Sequence, residues 1–229
     1  MRLFGILARL IFILCLPVLF LTVSIGWAAN SLWLYQYGFD KYNVSQTTGL
    51  SSAELEKAAT GLISYFNSGD EYVSLSVEKE GKVFELFGER EVLHLKDVKD
   101  LFRLSYWLLL WTLIYALVYS GVCLFWRRRR YWRRLARDVV TGSAITLGLM
   151  LLLGLGTLAN FDQLFLKFHL LSFANEFWRL DPTKDYLIML FPRGFWFDAT
   201  LFCALLTAGL VVILGGVAGF YLTKSKSAR

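Results

Sequence analysis

The chain is poor in the residues that usually announce a soluble catalytic or stapled domain. It has three cysteines and two histidines in 229 residues, and only 18% of its residues are charged. Soluble domains carry about 25%. Cys15, Cys123 and Cys203 each lie inside an apolar run, which excludes a disulfide-stapled secreted domain. His94 and His169 lack the short spacing of zinc motifs. There is no Gly-x-Ser-x-Gly elbow and no P-loop. What the chain has instead is apolar residues, 56% of the total and 17% aromatic, with a mean hydropathy of +0.51. That abundance excludes intrinsic disorder, which needs low hydrophobicity.

Crossing a bilayer takes about 20 mostly apolar residues. Four segments qualify: Leu10–Ala29, Leu104–Trp126, Val139–Ala159 and Phe195–Leu222. None has Lys, Arg or Glu in its middle, and Asp198 lies near one end of the fourth. Arg2, Arg9 and the Gly26-Trp27-Ala28 stretch permit a signal-peptide reading of the first segment. Its apolar stretch is longer than the roughly 7–15 residues of a signal core, so an uncleaved helix is expected. Leu14 precedes Cys15 where a lipoprotein signal would have a small residue.

Orientation follows the Lys and Arg of the short flanks. Arg2 and Arg9, the run Arg127–Arg130 with Arg133, Arg134 and Arg137, and Lys224, Lys226 and Arg229 are twelve basic residues against one acid, Asp138. Four spans place all three flanks on one side, expected to be cytoplasmic. The net charge of +6 therefore reads as a topology signal at an anionic inner leaflet, not as a nucleic-acid patch. The expected organisation is a membrane helix at 1–30, an extracytoplasmic α/β domain at 31–103, a helix at 104–126 and an arginine-rich cytoplasmic loop at 127–138. A helix at 139–160, an extracytoplasmic interfacial segment at 161–194, a helix at 195–223 and a cytoplasmic tail at 224–229 complete it. The fold class is thus an α-helical multi-pass membrane protein with four transmembrane helices, a small α/β outer domain and an interfacial helix.

Within 31–103, Ser51-Ser52-Ala53-Glu54 fits a capping box. Leu55, Ala59, Leu62 and Phe66 follow at helical spacing, and Gly69-Asp70 ends the helix. Tyr72–Val77 and Val83–Leu86 alternate like strands around a Glu80-Gly81-Lys82 turn. From Glu91 no breaker occurs until Gly121, so a helix is expected to run from above the membrane into the second span. So small a domain buries little core, and it is expected to rest on the membrane and on the second outer segment. There, Asp162, Phe165, Phe168, His169, Phe173 and Glu176 share one face at helical spacing, which fits an interfacial or re-entrant helix broken at Asp181-Pro182. Tyr186–Phe191 is a second short apolar piece.

Both histidines fall in outer segments, with carboxylates at helical reach: Glu91 and Asp97 beside His94, Asp162 and Glu176 beside His169. Histidine suits general acid–base work near neutral pH. A histidine on an amphipathic face is most often structural, so the pattern alone leaves both readings open. Gly215 and Gly219 form one GxxxG, which more often packs helices than signals anything else.

Longer stretches carry a resemblance. EREVLHLKDVKDLF (Glu89–Phe102) and FDQLFLKFHLLSFANEFWRLDPTKDYLIMLFP (Phe161–Pro192) resemble the two signature stretches of the lipoprotein intramolecular transacylase (Lit) family, and Tyr37–Phe66 resembles its outer domain. The four-span layout, the inner arginines and the length agree over nearly the whole chain. The resemblance implies a bacterial, mostly Gram-positive membrane acyltransferase. Its substrate would be a diacylated lipoprotein, with one acyl chain, the sn-2 chain by expectation, passing from the S-diacylglyceryl group to the α-amine of the N-terminal cysteine. It implies His94 and His169 as catalytic residues, in either order of acid and base. Arg90, Glu91, Asp97, Asp162, Asn175, Glu176, Asp181 and Asp185 are supporting candidates, and Phe165, Phe168, Phe173 and Trp178 are lipid-contact candidates. No metal and no cofactor are expected, since the acyl donor is already an activated ester, and the partners are the lipoprotein and membrane lipid. Two alternatives stand beside it: a metal-dependent membrane hydrolase using the same histidines, and a non-enzymatic outer-surface sensor or assembly factor.

Overall fold

The computed structural model describes residues 2–125 and 129–227. Met1, Trp126, Arg127, Arg128, Ala228 and Arg229, which belong to the expected flanks and to the end of the second span, lie outside the described residues. In chain order the elements are α1 (Arg2–Asn30), α2 (Leu32–Lys41), α3 (Val44–Thr48), α4 (Ser52–Asn67), β1 (Ser76–Lys79), β2 (Lys82–Glu85), α5 (Glu89–Phe125), α6 (Arg129–Ser172), α7 (Tyr186–Leu190) and α8 (Arg193–Ser227). Four helices, α1, α5, α6 and α8, are long and apolar enough to cross a membrane.

The chain divides into two compact units: Met1–Gly26, Ser105–Gly156 and Leu201–Arg229 form one, and Trp27–Leu104 with Thr157–Thr200 the other. The first is built from the apolar stretches of the four long helices. Lipid is as apolar as leucine, so these helices are held by close packing and by shared hydrogen bonds. Phe12, Leu16, Leu19 and Ala116 form a buried cluster, with Tyr115, Tyr119, Leu135 and Val139 against it. A Cβ on Gly142 would stand 2.5 Å from Leu16, so only glycine lets α6 approach α1 this closely. Thr207 donates to Ser24 at 2.8 Å across two helices. Half of the GxxxG packs: Gly215 faces Ser143, while Gly219 meets nothing within 4 Å. Asp138, the lone acid of the basic flanks, is fully buried and accepts from Arg9 and from the Tyr119 hydroxyl at 2.7 Å. A buried carboxylate needs such partners.

The second unit holds the shorter elements. Ser51 caps α4 by accepting the Glu54 N–H at 3.3 Å, but the Glu54 carboxylate turns to the Glu78 N–H at 2.8 Å and so ties α4 to β1. The buried face of α4 is Leu55, Ala58, Ala59, Leu62, Tyr65 and Phe66. The hairpin turns through Glu80 (φ 54°) and Gly81 (φ 77°), the left-handed pair of a two-residue turn that matches strand twist. Its register pairs Ser76 with Glu85 and Lys79 with Lys82. The first strand thus lies later than the alternation at Tyr72–Val77 indicates, because a two-residue turn sets pairing from Lys79 backward. Phe84 of β2 lies 5.6 Å from Tyr186 of α7, so the hairpin packs against α7. Helices α2 and α3 have no clear periodicity signal and are not anticipated from sequence.

Two long helices carry the site. α5 begins at Glu89 and continues without interruption past Leu104, where its apolar stretch starts. α6 is kinked at Asn160 (φ −159°, ψ 81°), whose side-chain oxygen accepts the Gln163 N–H at 3.1 Å and restarts the helix beyond the apolar stretch. This restarted segment ends at Ser172, nine residues before the expected break at Asp181-Pro182. Phe173 and Glu176 therefore leave the helical face on which their spacing places them. The stretch 173–185 is a hydrogen-bonded loop.

Candidate active site

His94 sits on α5, one turn after Glu91, and His169 sits on the restarted end of α6. Both belong to the second unit, and each is 7% exposed. Their ring centroids are 6.1 Å apart. Aromatic rings enclose them. His169 lies 4.3 Å from Phe165, 5.4 Å from Phe168, 5.5 Å from Phe173 and 4.9 Å from Trp178, and His94 meets Phe173 edge-on at 5.0 Å.

This enclosure sets the electrostatics. Burial among apolar rings disfavours imidazolium. Burial first and the neighbouring His169 second lower His94 to about 4, against the opposing pull of Asp97. Burial also lowers His169, against the hydrogen bond to Phe165, which favours its charged form. Both rings are therefore neutral at pH 7. The Nδ1 atom of His169 lies 2.8 Å from the Phe165 carbonyl. A carbonyl only accepts, so Nδ1 carries the proton and Nε2 keeps the lone pair. His94 Nδ1 is buried with no hydrogen-bond partner among the described residues.

The supporting candidates separate into three groups. Glu91, 3% exposed, accepts the N–H groups of Gly88 and Leu187, each at 2.7 Å, and its pKa is raised, first by burial. It holds α7 against α5 and makes no hydrogen bond to His94. Asn175, Arg90, Asp181 and Asp185 build the loop. Asn175 donates to Asp97 at 2.8 Å, accepts the Phe177 N–H on its side chain, and accepts the Trp178 indole N–H on its backbone carbonyl. Arg90 donates to the carbonyls of Glu176 and Arg179. Asp181 caps Thr183, and Asp185 accepts the Asp181 N–H at 2.6 Å. Asp162 and Glu176, expected beside His169, are instead paired with Arg193 and Arg179. The heptad spacing fails because two helical turns set Asp162 about 10 Å along the axis from His169, and the helix ends before Glu176. Among the described residues no three His, Cys, Asp or Glu side chains converge as metal ligands would.

Of the lipid-contact candidates, Phe173 is buried and Trp178 lies over His169, so both form the wall of the histidine site; Phe168 is 49% exposed. The Leu187 N–H, which anchors Glu91, has no sequence signal, because backbone donors are not read from residue type.

The chain is similar to known proteins. The family model described as lipoprotein intramolecular transacylase Lit matches residues 10–196. An uncharacterized protein of Aquifex aeolicus (strain VF5) is 30% identical over 224 residues, which cover 94% of this chain and 97% of that one. Among solved structures, the membrane integral lipoprotein intramolecular transacylase Lit from Bacillus cereus superposes with a TM-score of 0.81 at 21% identity, covering all of both chains. A form of that protein with a histidine-to-arginine substitution gives a TM-score of 0.77 at 20% identity, over 97% of this chain and 94% of that chain. At these identities the likeness to solved structures establishes a shared fold.

Proposed function

The chain belongs to the lipoprotein intramolecular transacylase family of membrane-integral acyltransferases, and we propose that His94 and His169 together carry its acyl transfer. The observation behind this reading is their meeting at 6.1 Å inside an aromatic box, from two helices that are distant in sequence.

The reaction needs few parts. The substrate cysteine bears a diacylglyceryl thioether and a free α-amine with pKa about 8. Attack of that amine on the sn-2 acyl carbon closes an eight-membered ring of N, Cα, Cβ, S, two glycerol carbons, the ester oxygen and the acyl carbon. Amine and ester belong to one molecule, so a site that folds the substrate correctly gains effective molarity. His169, with Nδ1–H held by Phe165 and Nε2 bare, takes the proton of the attacking nitrogen as general base. His94, kept neutral by burial, offers a ring N–H to the oxyanion and then to the departing glycerol oxygen. The aromatic rings exclude water, which would hydrolyse the ester in place of transfer. Phe165 and Phe168 extend the box toward the acyl chain.

The basic flanks support a reading with both termini cytoplasmic, and on that reading the site faces the extracytoplasmic leaflet, where the lipid of an exported lipoprotein lies. The deciding experiment compares lipoprotein N-termini by mass spectrometry in cells with and without this protein, and in cells carrying His94→Ala or His169→Ala. N-acyl lyso termini are expected only with the unaltered protein. Unchanged acylation in the deletion strain would overturn the activity, and wild-type levels in both variants would overturn the roles of the histidines.

A further inference from the structure

We propose that Asp97 binds the substrate's α-ammonium group and so makes the site selective for a free amino terminus. The proposal rests on the acyl-transfer reading above and extends it to the recognition of the nucleophile.

At neutral pH most α-amines are protonated, since their pKa is about 8. The resting substrate thus brings a cation to a site walled by Phe165, Phe173 and Trp178 and holding two neutral imidazoles. A cation is costly in such surroundings unless a carboxylate receives it. The neighbouring acids are nearly all engaged. Both Glu91 oxygens take backbone N–H groups, Asp162 pairs with Arg193, Glu176 pairs with Arg179, and Asp181 and Asp185 close their own turn. Asp97 differs. Its Oδ2 accepts from Asn175 at 2.8 Å, while Oδ1 takes no hydrogen bond from the described residues.

Its position suits the task. Asp97 lies one helical turn after His94 on α5, near enough to oppose the lowering of that ring's pKa. Through Asn175 it is joined to the loop whose Trp178 covers His169. His94 Nδ1, buried and without a partner, is a second polar atom at the same place that awaits a ligand. The bond to Asn175 fixes the carboxylate, so the ammonium meets an acceptor already oriented.

The proton balance is complete without a co-reactant. The ammonium gives one proton to His169 Nε2, and the freed lone pair attacks the acyl carbon. The bond between the acyl carbon and the glycerol oxygen breaks, its electrons stay on that oxygen, and the oxygen takes a proton from His94. His94 regains a proton from the nitrogen as it becomes the amide, and His169 releases the proton it took to solvent, so both rings end neutral. The product nitrogen is a neutral amide, so its ion pair with Asp97 ends and the N-acylated lipoprotein is no longer held.

The test uses two unreactive ligands on the purified full chain in nanodiscs: a dialkylglyceryl-cysteinyl peptide, with ethers in place of the esters, bearing either a free or an N-acetylated amine. Each competes against a diacyl substrate. At pH 6.5 the free-amine ligand is expected to inhibit at least about tenfold more tightly, as a charge-assisted hydrogen bond implies. The gap should shrink at pH 9.5, where the amine is neutral, and should vanish at pH 6.5 in Asp97→Asn. Asp97→Ser serves if Asp97→Asn does not fold. No gap in the wild type, a gap equally large at pH 9.5, or a gap that survives in the uncharged variants would overturn the proposal. Turnover of the diacyl substrate by the wild type is read separately. Its absence would overturn the acyl-transfer reading itself, whereas turnover without amine selectivity would overturn only the role of Asp97.

Discussion

The Glu91 carboxylate accepts the backbone N–H of Leu187 at 2.7 Å across 96 positions of sequence, while its other oxygen accepts from Gly88. One buried side chain thus joins the start of α5, which carries His94, to α7. Glu91→Ala leaves the buried Leu187 N–H and the part-buried Gly88 N–H without an acceptor, at a cost of about 2 kcal/mol. Thermal unfolding in detergent should show the full loss for Glu91→Ala and a smaller one for Glu91→Gln, whose amide oxygen still accepts one N–H. A melting temperature unchanged in Glu91→Ala would show that this bond contributes nothing to the fold.

A finer distinction is available at His169. Its Nδ1–H bond to Phe165 is structural, whereas Nε2 is the proposed base. His169→Asn places an amide N–H near the Nδ1 position and removes Nε2. Removal of a general base costs about 100-fold to 10,000-fold in rate. Single-turnover assays should therefore show His169→Asn as inactive as His169→Ala, with the asparagine variant the more thermostable of the two. Substantial turnover by His169→Asn would move the base elsewhere.

Much of this arrangement is legible in the sequence, for physical reasons. The spans are legible because a bilayer demands long uninterrupted apolar runs, and α4 because its cap and apolar face are local. The union of His94 with His169 is not, since nothing in either segment states which rings share a site; it follows only from the family resemblance. Asp162 and Glu176 stand a heptad from His169, yet Asp162 lies two turns away along the helix, the helix ends at Ser172 before Glu176, and both acids pair with arginines. Helices α2 and α3 are equally hidden. Their apolar residues Tyr35, Phe39 and Val44 are buried by tertiary packing, not by a stripe of regular period.

Topology is open to direct labelling. Cys15, Cys123 and Cys203 lie in the apolar stretches, so a membrane-impermeant maleimide should leave the native chain unlabelled. Glu80→Cys, at the hairpin turn, should react in intact cells, and Ser225→Cys only after permeabilisation. Labelling of Ser225→Cys in intact cells would invert the proposed orientation.

Acid should weaken the protein through His94. Its folded pKa, about 4, lies below the ordinary 6.5, so the unfolded chain binds the proton more readily. The stability linked to neutral His94 is fully present above about pH 6.5 and is lost as pH falls toward and through about 4. The full loss is on the order of 3 kcal/mol. Melting temperatures in detergent from pH 7.5 to 4.5 should fall more steeply for the wild type than for His94→Gln, which has no proton to gain. Parallel curves would mean that His94 does not carry the acid sensitivity.

Phe173 tests the origin of both shifts. It touches His94 and His169 at 5.0 and 5.5 Å, and it is buried. Phe173→Ala removes the ring packed against both histidines and opens space that water can enter, since the lining already holds a His94 Nδ1 with no partner among the described residues. Hydration favours imidazolium, so both pKa values should rise toward the ordinary histidine range. Catalysis by neutral histidines is lost as they protonate, and a higher pKa brings that loss at higher pH. The acid limb of the pH–rate profile should therefore move upward in Phe173→Ala, with Phe173→Leu between it and the wild type. Hydrolysis of the acyl ester to free fatty acid should rise alongside, as water competes with the amine. A lower rate with an unmoved acid limb would mean that Phe173 only packs, and that the low histidine pKa values have another cause.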